Sequence, residues 1–66
     1  MKNLKLRAAR AEKDLTQAEL AQLIGVTRQT IGAIEKGEYN PTIKLCIKIC
    51  QALGKTLDEL FWEEKR

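Results

Sequence analysis

Between Thr16 and Lys36 the sequence TQAELAQLIGVTRQTIGAIEK carries apolar residues at helical spacing on both sides of one glycine. Leu20, Ala21, Leu23 and Ile24 give the first half one apolar face, and Ile31 and Ile34 do the same for the second. Thr16 with Glu19 three residues later has the spacing of a capping box, which predicts a helix from Gln17. Gly25 stands where a left-handed residue ends a helix, and Val26 follows. Thr27 then caps a second helix that runs to about Lys36. On it Arg28, Gln29, Gly32, Ala33 and Lys36 share the face turned away from the apolar pair.

The flanking pattern predicts three more helices. Met1 to Leu6 alternates polar and apolar, a short strand-like signal with Leu4 and Leu6 on one side. A helix follows from Lys5 or Leu6 to about Lys13, rich in alanine, with Arg7, Arg10 and Lys13 along one face. Beyond Lys36, Gly37 is a stop, Asn40-Pro41 marks a turn and Thr42 caps the next helix. That helix, Ile43 to Leu53, presents Ile43, Cys46, Ile47, Cys50 and Leu53 as a wide apolar stripe, with Ile49 adding to it. Gly54 ends it, and Thr56 caps a short fifth helix carrying Leu57, Leu60 and Phe61. The remainder, Trp62 to Arg66, leaves the helical pattern and finishes in charge. The expected fold class is all-α, in one domain over residues 1–66.

At 66 residues the chain lies near the lower limit for a core without staples, and its 44% apolar content suffices for a helical bundle. The amino terminus lacks the apolar run of a secretory signal, and no segment approaches the ~20 apolar residues of a membrane span. A soluble protein of the cytoplasm is expected. Twelve basic against nine acidic residues leave a net charge of +3 with no histidine. That excess permits nucleic-acid binding without establishing it. Cys46 and Cys50 lie four apart on one helix. A metal site would need two further ligands, and a disulfide within one helix has poor geometry. They read as small core hydrophobes, while a redox role would require an exposed thiol of lowered pKa. Asp58-Glu59 and Glu63-Glu64 have no histidine or nucleophile beside them and read as solvated faces, so no enzyme, cofactor or metal is expected.

Helix, glycine turn, helix is the arrangement of a helix-turn-helix, here over residues 17–36, with an ordinary helical hairpin as the plain alternative. The chain resembles the phage repressor and Cro type of that motif, also called the xenobiotic-response-element family. The resemblance rests on Gln17 opening the first helix, small Ala21 at the crossing, Gly25 and Val26 in the turn, and Ile31 and Ile34 beneath the second helix. It covers nearly the full chain and implies a five-helix, lambda-repressor-like DNA-binding domain. In the family an arginine six residues before the capping threonine pairs with a glutamate near the end of the second helix. Arg10 and Glu35 occupy those places, and a guanidinium fork suits a semi-buried carboxylate. Short stand-alone members, such as the cytolysin repressor, pair the tail with the amino-terminal residues in a small antiparallel sheet. Leu4 and Trp62 would then be neighbours.

The resemblance also implies a function. The helix from Thr27 to Lys36 would lie in the major groove of double-stranded DNA, with Arg28 and Gln29 reading base edges and Gly32 and Ala33 facing the bases with almost no side chain. Gln17, Thr27, Thr30, Lys36, Tyr39 and Asn40 would contact phosphates. For Tyr39 packing against the recognition helix is the equal alternative, for Arg7 and Lys13 phosphate contact and a solvated basic edge are equal readings, and for Gly32 an unimportant exposed glycine is the alternative. Members bind paired half-sites as dimers, about 34 Å apart, and Leu57, Leu60, Phe61 and Trp62 form the expected dimer surface. A transcriptional repressor, associated with the nucleoid, is the expected function. An antitoxin and a protein-interaction module on the same fold are the other classes open to this sequence.

Overall fold

The computed structural model describes residues 2–62 and contains five helices: α1 Leu4–Glu12, α2 Gln17–Ile24, α3 Arg28–Lys36, α4 Ile43–Leu53 and α5 Leu57–Phe61. Each begins at a side-chain cap. Asn3, Thr16, Thr27, Thr42 and Thr56 accept the backbone N–H three residues on, and Glu19 and Glu59 complete capping boxes at α2 and α5. The Thr56 N–H donated to Glu59 holds that exposed carboxyl below its usual pKa. Gly25 ends α2 in the left-handed region at φ 78°, where a side chain would be strained, and Val26 N–H returns to the Ala21 carbonyl at 2.9 Å. The α1–α2 turn has no glycine. Asp14 takes positive φ there instead, as short polar residues do more readily than others.

The amino-terminal residues depart from the strand-like reading. Asn3 caps α1, which starts at Leu4 and ends at Glu12, about a residue earlier at each end than the apolar pattern suggests. In a helix Leu4 and Leu6 point to different sides, and only Leu6 is buried while Leu4 stays exposed. Among the described residues there is no strand. Residues 63–66 of the expected tail sheet lie outside them. Asn3 and Lys5 nevertheless reach the end of α5, through side-chain bonds to the carbonyls of Leu60 (3.0 Å) and Trp62 (3.1 Å).

The buried residues form one cluster that draws on all five helices. Leu6, Leu20, Ile31, Ile49 and Leu53 are fully enclosed, with Ala9, Ala21, Ile24, Ile34, Cys50 and Leu60 around them. Two sequence stripes prove narrower than expected. On α2 the core takes Leu20, Ala21 and Ile24, while Leu23 is 63% exposed because it lies about 110° from the middle of that stripe at 100° per residue. On α4 it takes Cys46, Ile49, Cys50 and Leu53, leaving Ile43 (68%) and Ile47 (39%) on the flank. Burial pushes the thiols of Cys46 and Cys50 up in pKa, so at neutral pH they stay protonated within the core.

This division of the stripes has a direct consequence for stability. Ile49→Ala removes a fully enclosed side chain and should cost roughly 2–5 kcal/mol. Leu23→Ala should change stability by less than about 0.5 kcal/mol. Urea denaturation of both variants checks the contrast.

Candidate nucleic-acid interface

The helix-turn-helix is held from below by one carboxylate. Glu35, near the end of α3, is 8% exposed. Its Oε2 accepts from Arg10 Nε at 2.7 Å, and its Oε1 accepts from Arg10 Nη2 at 3.2 Å and Gln17 Nε2 at 3.0 Å. The remaining arm of Arg10, Nη1, donates to the Leu15 carbonyl at 2.8 Å in the α1–α2 turn. Arg10 sits on α1, Gln17 opens α2 and Glu35 closes α3, so three helices converge on this one charge. No buried polar side-chain atom among the described residues is left without a partner. Removing one member leaves the other charge desolvated.

Above that lock α3 turns its start to solvent. Arg28 and Gln29 are exposed, Gly32 and Ala33 half-buried, and Lys36 exposed. Ile31 and Ile34 fix the opposite face in the core. The Thr27 and Thr30 hydroxyls lie 3.0 Å apart, and Thr27 Oγ1 also accepts the Thr30 N–H. The pair therefore spends one hydroxyl proton on itself and keeps one free. Gln17 is placed differently from a side chain reaching outward, because its amide is drawn in to Glu35 and lies across Gly32. A Cβ added at Gly32 would meet Gln17 Oε1 at 3.6 Å, an ordinary contact, so the protein itself has room for alanine there.

Tyr39 and Asn40 are exposed in the loop after α3. They line an open groove of about 610 Å³ together with Leu4, Phe61 and Trp62. The loop that follows α3 is thus also a wall of the surface around α5. The four apolar residues near the carboxy terminus divide. Leu60 is 3% exposed and fills the chain's own core, so its side chain is not available to a second copy, contrary to the expected interface. Phe61 packs against the same cluster, while Leu57 and Trp62 remain outside. Sequence reasoning missed Asn3, whose capping role was hidden by the alternating MKNLKL pattern, and the exposure of Ile43 and Ile47.

The sequence profile of the helix-turn-helix family matches residues 6–60. The chain belongs to that family, in its phage repressor and Cro type. It is 45% identical over 65 residues to an uncharacterized HTH-type transcriptional regulator of Bacillus subtilis, covering 98% of this chain and 97% of that one. The cryptic phage CTXphi transcriptional repressor RstR of Vibrio cholerae is 39% identical over 56 residues, 85% of this chain and 50% of its own length. Among solved structures, the restriction-modification controller protein C.AhdI of Aeromonas hydrophila superposes with a TM-score of 0.83 at 36% identity, over 89% of this chain and 86% of that one. The chain is a DNA-binding transcriptional regulator of this family, and none of the helices among its described residues is long and apolar enough to cross a membrane.

The carboxylate lock can be measured. Removing Arg10 or Glu35 alone should cost about 3–5 kcal/mol, since each leaves a charge without its partner. Replacing both by apolar residues of similar volume should cost less than the two single losses added together. Thermal melts of the two single variants and the double variant give the coupling energy.

Proposed function

We propose that the chain is a transcriptional repressor of the cytoplasm that binds a paired half-site operator as a homodimer, with α3 in the major groove. The observation that carries this reading is the asymmetry of α3. Its end is fixed by Glu35 and its apolar side by Ile31 and Ile34, while Arg28 and Gln29 project from its exposed start. Recognition helices of this motif place their amino-terminal residues against base edges. Arg28 suits the O6 and N7 acceptors of guanine, and Gln29 the N6 and N7 of adenine. Ala33 keeps the next turn low while the Gln17 amide lies over Gly32, so few side chains remain there for base contact and a share of readout falls to DNA shape.

Phosphate contacts would surround these readers. The capping Thr16 takes the N–H groups of Glu19 and Leu20, which leaves Gln17 and Ala18 as the open backbone donors at the start of α2. Gln17 would therefore serve through its backbone rather than its amide. The free proton of the Thr27–Thr30 pair, the Lys36 ammonium, and Tyr39 and Asn40 in the loop supply the rest. Leu57 and Trp62, and separately Ile43 and Ile47 on α4, are exposed apolar side chains that a second copy would cover. The repressor named in Vibrio cholerae supports the direction of control.

Selection of binding sites from random DNA tests the reader assignment. Arg28→Ala and Gln29→Ala should each lose about 1–3 kcal/mol of discrimination at one base position while the fold survives. An unchanged consensus with both variants would remove them from that role. The homodimer has its own measurement. Sedimentation at micromolar concentration should show a dimer that Trp62→Ala weakens by tenfold or more, about 1.4 kcal/mol. A monomeric native chain, or a variant as dimeric as the native, would sink it.

A further inference from the structure

Asn3 closes three helix ends at once. Its Oδ1 accepts the Leu6 N–H at the start of α1 at 2.9 Å. Its Nδ2 donates to the Leu60 carbonyl in the last turn of α5 at 3.0 Å, and its backbone N–H donates to the Glu35 carbonyl in the last turn of α3 at 2.9 Å. All three partners are helix-end groups that have no intrahelical mate. The two carbonyls belong to the helix that carries Arg28 and Gln29 and to the helix that leads into Trp62. Those two helices do not pack extensively on each other, since α3 sits on α2 and α1 while α5 sits on α1 and α4. One half-buried asparagine is therefore a hydrogen-bonded bridge between them.

We propose that Asn3 is a positioning residue that fixes the angle between the recognition helix and the α5 face, and through it the half-site spacing that the protein accepts. The proposal rests on the homodimer reading above. In a twofold pair joined near α5, any rotation of α3 against α5 appears in both copies. Across the 20–22 Å breadth of the chain, a rotation of about 10° carries a helix by about 3.5–3.8 Å, close to one base-pair rise. The Lys5 bond to the Trp62 carbonyl adds a tie in the same place, but it is exposed and belongs to a long side chain. Asn3 is short and held from three directions, so it sets the angle more sharply.

Two substitutions separate the bridge from the cap. Asn3→Ser and Asn3→Asp both keep a side-chain oxygen for the Leu6 N–H and the backbone N–H for Glu35. Serine is too short to reach Leu60, and aspartate sets an oxygen against the Leu60 carbonyl. The experiment is selection of paired half-sites from DNA with a randomised spacer, alongside Cys50→Ala as a core-loosening control. The native chain should select one spacer length. Both Asn3 variants should keep the half-site sequence while their preference for that length over its neighbours falls about fivefold, the worth of one net hydrogen bond. Cys50→Ala should keep the native preference. Unchanged sharpness in both Asn3 variants, or equal loss in Cys50→Ala, overturns the proposal alone. A native chain that selects only single half-sites overturns the homodimer reading and this proposal with it.

Discussion

The arrangement of α1, α2 and α3 depends on the satisfaction of one buried carboxylate. Withdrawing an ion from water costs several kcal/mol unless hydrogen bonds and an opposite charge replace the solvent. Glu35 receives that replacement from Arg10 on α1 and Gln17 on α2, and neither helix supplies all of it. The charge is therefore satisfied only when all three helices stand in one register. Apolar residues of the same size can pack three helices as firmly, but they make no directional hydrogen bonds. If α3 presents side chains to a DNA groove, as proposed, register is what matters most, and the lock joins that helix to α1 and α2.

The five helices are 5 to 11 residues long, below the roughly 12–15 at which an isolated helix becomes marginal in water. None would persist alone. Their ends make up a large share of their length, so the caps at Asn3, Thr16, Thr27, Thr42 and Thr56 weigh heavily, each about 1 kcal/mol. Tertiary packing supplies the rest through a cluster in which leucine and isoleucine predominate. The same economy explains why a residue such as Asn3 serves three helices at once.

Much of this was legible in the sequence because helix punctuation is local chemistry. Four capping threonines, the glycines at 25, 37 and 54, and Asn40-Pro41 place α2 to α5 within about a residue, and the apolar periodicity finds Leu20, Ile31, Ile49 and Leu53. The resemblance to the repressor family adds Arg10 opposite Glu35. What was not legible depends on which side of a helix the neighbours happen to cover. Leu23, Ile43 and Ile47 look as apolar as their buried partners and differ from them only by position about the axis. Leu60 likewise has the pattern of a partner-facing residue, while the chain's own core takes it. Asn3 escaped because an alternating hexapeptide suggests a strand until one sees that its second apolar residue belongs to a helix already under way.

The exposed face of α3 is sparse, and that bears on how many copies must act together. The two readers proposed at Arg28 and Gln29 would supply about 2–6 kcal/mol of base discrimination. Specific regulators commonly separate their sites from bulk DNA by about 4–10 kcal/mol. One chain reaches only the lower part of that range, with Gly32 and Ala33 adding no hydrogen bonds from side chains. Two chains on paired half-sites, as proposed, would reach about 4–12 kcal/mol and span it. A net charge of +3 cannot make up the difference, because phosphate attraction is the same on every sequence. The shortage of readers on α3 and the uncovered apolar side chains of α4 and α5 thus have a common remedy in a second copy, with Asn3 joining the two faces that it would have to serve.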